Sequence, residues 1–237
     1  VEVSSDTELN VKSKQVRELN ESGEIIGDGA YAIPNTSARS IAIANQLLNS
    51  GHTLHRGEDG TLYAGADARA ELTGLVKDSA VTISTQSVPV GAKEITSRHV
   101  TLLKDGGMNK AQSHSGTKLA LDRLGFTVEE KTPGQVAEEG LDSTDVFIYN
   151  GRLNLISYQN SVANSEFGLK DAAQYEAFKT NVEGFVADGG QYLAIGAGAS
   201  QATTKLGLSD VKVETGGSNS NRIVQLSHTD STYTAGY

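Results

Sequence analysis

The residues of this 237-residue chain that could do chemistry gather in three short stretches. In "QYLAIGAGAS" (191–200) an apolar run empties into the small-residue turn Gly196–Ser200. In an α/β protein such a turn is where a nucleophile elbow or a phosphate cradle sits. Backbone N–H groups at a helix N-terminus attract a negative group, and Gly196 and Gly198 would let it approach the main chain closely. The Gly-x-Gly pair lacks the third Gly of the dinucleotide fingerprint, because Gln201 stands there. Ser200 also lies outside a Gly-x-Ser-x-Gly elbow. The simpler account is a strand-to-helix turn with Ser200 as the helix cap. The second stretch, Lys104-Asp105-Gly106-Gly107, follows the apolar run "HVTLL". Lys104 and Asp105 could orient a ligand, although Asp-Gly and Gly-Gly are turn formers in their own right. The third, Asn150–Leu153, follows "DVFIY". The candidate ligand-binding residues are therefore Lys104, Asp105, Gly107, Asn150, Gly151, Gly196, Ala197, Gly198 and Ser200. No catalytic residue, metal ligand or cofactor is assigned.

Histidines offer two further arrangements. His114 and Ser115 are neighbours, but consecutive helical side chains point about 100° apart and do not face each other. His114 falls on an apolar face with Leu121 and Leu124 and reads as a packed histidine. A hydrolase using Ser115 or Ser200 would need a His within about 2.6–3.2 Å and a carboxylate behind it, and no spacing here demands that. His52 and His55 hint at a metal, with Glu58 and Asp59 close by in sequence. A strand, however, would send the two rings to opposite faces.

Composition removes whole classes of function. The chain has 29 acidic and 20 basic residues, a net charge of -9, and no basic stripe to hold a phosphate backbone, so no nucleic-acid partner is expected. It contains no Cys, which excludes a thiol nucleophile, a disulfide framework and thiolate metal sites. No apolar run approaches the roughly 20 residues of a membrane-spanning helix. The start, "VEVSSDTELN", lacks the basic-then-apolar pattern of a signal peptide. With Met108 as its one methionine, the chain is expected to be a processed or excised piece. With 37% apolar residues and no Trp, the core is expected to be aliphatic.

The elements that must position these residues alternate along the chain. Residues 14–27 read as a hairpin, "AYAI" (30–33) as a strand, and Asn35-Thr36-Ser37 as the start of a helix. Ala38, Ile41, Ala42, Asn45 and Leu48 line one face of that helix, and Gly51 stops it. "HTLHR" and "TLYAG" are strands joined by "GEDG". Residues 66–78 form a helix with Leu72, Leu75 and Val76 inward, "VTIST" (81–85) is a strand, and 87–97 reads as a connector. The pattern then restarts: "HVTLL" (99–103), a helix over 110–124, "FTVEE" (126–130), "DVFIYN" (145–150), a helix over 171–187 and "QYLAIG" (191–196), with "VKVET" and "RIVQLS" as late strands. The stripe of the 171–187 helix is Ala172, Tyr175, Phe178, Val182, Phe185 and Val186. Strand–helix alternation implies a parallel sheet covered on both faces. The expected fold is thus α/β: a small mixed α/β domain over 1–92, then a doubly wound, mostly parallel, flavodoxin-like domain over 96–237. Ligands of such sheets sit beyond the C-terminal strand ends, where all three candidate loops fall.

Three segments, "RHVTLLKDGGMNKAQSHSGTKLALDRLGFTVEE", "DSTDVFIYNG" and "FVADGGQYLAIGAGAS", resemble the class I glutamine amidotransferase-like fold. More narrowly, they resemble the accessory module that follows the catalytic domain in large secreted bacterial zinc carboxypeptidases. "YAIPNTSARSIAIANQLLNSG" is similar to the small domain before that module, and "TGGSNSNRIVQLSHTDSTYTAGY" to its terminal part. The resemblance covers most of residues 30–237. It implies an extracellular protein whose partner is an upstream peptidase domain of the same polypeptide, and it assigns no oligomeric state. The departures are chemical. Active amidotransferases carry a Cys at the elbow, where this chain has Ala197 or Gly198, and His228 stands in "HTDS" rather than in a His-x-Glu pair. The chain also lacks the His-x-x-Glu of a zinc carboxypeptidase. The expectation is a non-catalytic accessory or interaction region, with two alternatives: a small-molecule or anion site in the strand-end crevice, or a hydrolase with an unrecognised Ser nucleophile.

Overall fold

The structure is a computed structural model. It describes residues 22–104, 114–150 and 169–210, without the side chains of residues 114, 115 and 197. The expected strands at 211–215 and 222–227 and the first arm of the 14–27 hairpin lie outside these residues.

The first half builds a six-stranded sheet from β1 (Glu24–Ile26), β2 (Tyr31–Ile33), β3 (Leu54–Arg56), β4 (Leu62–Ala64), β5 (Thr82–Thr85) and β6 (Lys93–Ile95), in the order β1-β5-β2-β4-β3-β6. Only the β1–β5 pair is parallel. The 87–97 stretch is therefore not a plain connector. Its Lys93–Ile95 segment pairs with Arg56–Leu54 as an edge strand, and its two charges suit an edge that faces water. Helix α1 (Ala38–Asn49) starts at Ser37, whose Oγ accepts the Ser40 N–H at 3.2 Å. A 3₁₀ turn over Ala66–Ala68 leads into α2 (Arg69–Leu75). Leu72 and Val76 are buried as expected, with Leu75 partly so.

The face that α1 buries is not the one expected. Ser40, Ile43, Ala44 and Leu47 enter the core beside Ile33, Leu54, Leu62 and Ile83. Ile41 and Leu48 sit at its margin. The helix has two packing partners, which is why its periodicity misled. Its other side meets the second half of the chain, where Asn45 Nδ2 donates to the Leu124 carbonyl at 2.7 Å and Asn49 Nδ2 to the Gly125 carbonyl at 2.9 Å.

The second half forms a four-stranded, all-parallel sheet: β7 (His99–Leu103), β8 (Thr127–Lys131), β9 (Val146–Tyr149) and β10 (Gln191–Ala194), in the order β10-β9-β7-β8. Among the described residues four helices connect or follow these strands: α3 (His114–Arg123), α4 (Pro133–Glu139), α5 (Ala172–Ala187) and α6 (Ala197–Lys205). Parallel strands need both faces covered. Val100, Leu102 and Ile148 pack with Leu121 of α3 on one face. On the other, Leu103, Phe147 and Tyr149 meet Val136 of α4, Phe178 and Val182 of α5, and Ala199 and Ala202 of α6. Of the expected α5 stripe, Tyr175, Phe178 and Val182 are buried, while Ala172 is exposed at the first turn.

Helix α4 has no counterpart in the sequence reading. Val136 and Pro133 are its buried residues, too few to show a helical stripe. The signal lies in its start instead: Thr132 and Gln135 exchange a reciprocal capping box around Pro133 at the first helical position.

At the lower ends of the strands, Asp145 ties the sheet together. Its carboxylate accepts the His99 N–H at 2.7 Å and faces Arg98 at 3.3 Å. That backbone donor first, and Arg98 after it, hold this carboxyl below its ordinary range.

Gly125 closes α3 with φ +76°, and a Cβ there would stand 3.2 Å from Asn45 Cβ and 3.3 Å from the Ala42 carbonyl oxygen. Gly125→Ala is therefore expected to cost about 1–3 kcal/mol, from left-handed strain plus crowding at the seam. Urea denaturation measures it; an unchanged midpoint would contradict the seam described here.

Candidate functional site

Three adjacent strands bring the expected loops to one edge of the parallel sheet. Lys104 follows β7, Asn150 follows β9 and Gly196 follows β10, with β9 lying between the other two strands. At about 5 Å per strand, the three main chains leave the sheet side by side. Asp105, Gly107 and Gly151 lie outside the described residues. Strand order sets these ends beside one another: β7 pairs with β8 on one side and with β9 on the other.

The side chains at this edge are largely committed to the fold. The Lys104 N–H donates to the Lys131 carbonyl at 2.8 Å and prolongs the β7–β8 pairing. Asn150 Nδ2 donates to Thr117 Oγ1 and ties the end of β9 to α3. Ser200 is not the helix cap. That position belongs to Gly196, and no side chain caps the helix start. Ser200 sits one turn inside α6, where its N–H and its hydroxyl both donate to the Gly196 carbonyl, at 3.0 and 2.9 Å. The turn is so tight that the backbone needs a residue with positive φ at the cap, and Ser200 then follows within the first turn.

Gly196 takes φ +89° and ψ 166°, and among the described residues a Cβ built there meets nothing within 4 Å. The glycine is thus required by backbone conformation and not by lack of room. Gly198 and Ala199 are buried behind it, and Ala199, Ala202 and Leu206 face the core. A small-residue first turn lets α6 sit close on the sheet. The turn joins β10 to α6, and its one hydroxyl, that of Ser200, is bonded back to the Gly196 carbonyl.

The histidines separate. His52 lies outside β3, so it and His55 are not a strand pair. Its Nδ1 is 2.9 Å from Asp67 Oδ2 and its Nε2 is 3.1 Å from Glu71 Oε2. These carboxylates, one helical turn apart, take up both ring nitrogens and join the end of α1 to α2. The pair was hidden in the sequence because 15 and 19 residues separate it from His52. Asp59 instead accepts from the Thr61 N–H and hydroxyl in its own turn. His99 Nδ1 is 2.7 Å from the Ser143 carbonyl. The side chains of His114 and Ser115, and His228, lie outside the described residues. Among the described residues no group of three or more His, Asp or Glu is arranged to hold a metal ion.

A second concavity lies at the opposite ends of the strands. It is a cleft of about 580 Å³ lined in part by Leu141, Asp142, Asn181, Gly184, Phe185 and Asp188. Nothing in the sequence reading singled it out, because Asp188-Gly189-Gly190 is legible only as a helix stop.

With the geometry in view, comparison with protein-family models, curated proteins and solved structures finds no match for this chain. Function is therefore argued from the residues themselves.

Two substitutions test the candidate turn. Gly196→Ala should cost about 1–3 kcal/mol in thermal or urea unfolding, because the cap conformation is one that side-chain-bearing residues rarely adopt. Tyr192, under α6, is the second. Its buried hydroxyl has no hydrogen-bond partner among the described residues. Burial pushes the phenol up to about 12, outweighing a smaller opposite pull from the nearby Thr203 hydroxyl, whose own proton goes to the Ala199 carbonyl at 3.1 Å. A phenol raised above its unfolded value keeps its full contribution below pH ~10 and loses it toward pH ~12, by roughly 2–3 kcal/mol. Tyr192→Phe should leave stability at pH 7 equal or up to about 1 kcal/mol higher, and should shrink that alkaline loss. A clear destabilisation at pH 7 would mean the hydroxyl has a partner.

Proposed function

We propose that this chain is a non-catalytic accessory or interaction region of a larger secreted bacterial protein, with a zinc carboxypeptidase-like peptidase elsewhere in the same polypeptide. The observation that carries the reading is the turn Gly196–Ser200. It follows β10, where the resemblance would put the elbow, and its cap is a glycine while the Ser200 hydroxyl is turned back onto the Gly196 carbonyl. The fold reading that goes with it is a flavodoxin-like, class I amidotransferase-like sheet. The parallel order β10-β9-β7-β8 supports it, as does the placing of α3 on one face and of α4, α5 and α6 on the other. The peptidase association and the extracellular location rest on the resemblance of the strand ends and agree with the acidic charge of -9.

A second reading has one specific observation in its favour. The start of α6 carries no side-chain cap, and no described residue stands within 4 Å of a Cβ built at Gly196, which leaves the first-turn N–H groups as a candidate anion site. In that case inorganic phosphate should shift the Gly196–Ala199 amide resonances saturably.

Two measurements decide between these outcomes. The purified chain is expected to turn over glutamine, activated esters and peptide anilides no faster than buffer; turnover abolished by Ser200→Ala would overturn the non-catalytic reading. The coding sequence upstream should contain a peptidase domain with a His-x-x-Glu pair, and its absence would remove the association.

A further inference from the structure

We propose that the cleft at the end of α5 binds an organic cation, an ammonium or guanidinium group carried on a short apolar stem. The cleft runs between the Gly140–Asp142 turn, which joins α4 to β9, and the last two turns of α5. Its volume of about 580 Å³ is in the usual range for small-molecule sites.

The apolar part is prebuilt. Leu141 is buried. Phe185 packs against Gly190, where a Cβ would collide with its ring. The ring also meets Phe147 edge-on, with centroids 6.3 Å apart and planes at 82°. Gly184 stands inside α5, where glycine costs about 1 kcal/mol relative to alanine. No neighbour requires that bareness, since a Cβ at Gly184 would meet nothing within 4 Å. What its absence does is keep the floor of the cleft open.

The polar part has one sign. Asp142 and Asp188 are exposed at the cleft, and no Lys, Arg or His is among its described lining residues. Helix α5 ends there with no basic residue in its last turn, so its carbonyl end adds partial negative charge. Helix α4 also ends there. Lys131 does reach the Gly140 carbonyl at 3.3 Å, but from a buried position, with Glu139 at 3.3 Å and Glu129 at 4.0 Å already on its ammonium. Asn181 spends its Nδ2 protons on the Val136 and Ala137 carbonyls at 2.8 and 3.1 Å, so it offers a ligand only an acceptor. An anion would meet carboxylates and helix carbonyl ends. A cation with an apolar stem meets complementary groups throughout.

Such a cation could be a free amine or a Lys or Arg side chain on another protein, and the test distinguishes them. The whole chain, isotope-labelled, is titrated with agmatine and separately with a short arginine-containing peptide. Saturable shifts at Gly184, Phe185, Asp188 and Gly190 are expected, with a Kd of about 1 mM or tighter for at least one ligand. Tighter agmatine binding points to a free amine, and tighter peptide binding to a protein side chain. The double variant Asp142→Asn, Asp188→Asn should weaken binding about fivefold or more. Gly184→Leu should abolish it while leaving the thermal midpoint unchanged or higher, because leucine is the better helix former. No saturable shift at these amides, or equal affinity in the Asn double variant, would overturn the proposal.

Discussion

The constraint that organises this protein is that a four-stranded parallel sheet must be covered on both faces. Phe147 and Ile148, consecutive in β9, show it directly: one enters the core with α4, α5 and α6, the other the core with α3. Parallel strands cannot be joined by tight hairpins, so each return passes through a crossover that lays its helix on one face or the other. Helix length, loop position and the crowding of small residues at the start of α6 all follow. Ala199 and Ala202 are buried because α6 must lie close above Tyr149 and Tyr192. Larger side chains there would lift the helix off the sheet.

The first half of the chain attaches to this sheet through the end of one helix. The last carbonyls of α3 have no intrahelical partner, as at any helix end. Here the Leu124 and Gly125 carbonyls are met by Asn45 and Asn49, one turn apart on α1. Ser97, just before β7, donates to Asn49 Oδ1 at 2.9 Å and orients that amide. The same α3 carries Thr117, which holds Asn150 at the strand-end crevice. One helix therefore touches the seam at its C-terminus and the crevice near its start. That linkage gives a physical reason for the two halves to occur together, whatever the crevice does.

How much of this was legible follows from where burial leaves a periodic trace. The interior strands and α5 were readable because Tyr175, Phe178 and Val182 repeat at helical spacing and "HVTLL" and "VFIY" are continuous apolar runs. Local chemistry marked Ser37 as a cap. Elements with little burial were missed: α4 hides behind Pro133 and Val136, and β6 is the charged edge Lys-Glu-Ile. The face of α1 was misread because Ile43 and Leu47 on one side and Asn45 on the other serve different neighbours. A single stripe cannot describe a helix with two partners. At the candidate site the sequence placed Lys104, Asn150 and Gly196 at the proper strand ends. It could not reveal that Ser200 lies one turn inside α6 and bonds back to Gly196 instead of capping the helix. Nor could it show His52 between Asp67 and Glu71, since that contact is made by packing α1 on α2.

The polarity of the crossover helices accounts for the different characters of the two ends of the sheet. Each helix runs back against the strands, so helix N-termini collect at the C-terminal strand ends and helix C-termini at the opposite end. The edge bearing Gly196 is therefore the one where backbone N–H groups favour negative charge, and the edge bearing Asp188 is the one where carbonyls favour positive charge. At the first of these edges the described part of the third loop is a glycine cap followed by a serine bonded back to that cap's carbonyl. At the second the sequence adds Asp142 and Asp188, supplies no basic residue in the last turn of α5, and keeps Gly184 where nearly any other residue would make a better helix. Crossover polarity alone thus gives the two ends of the sheet opposite partial charge, and at the end bearing Asp188 the described carboxylates add to it.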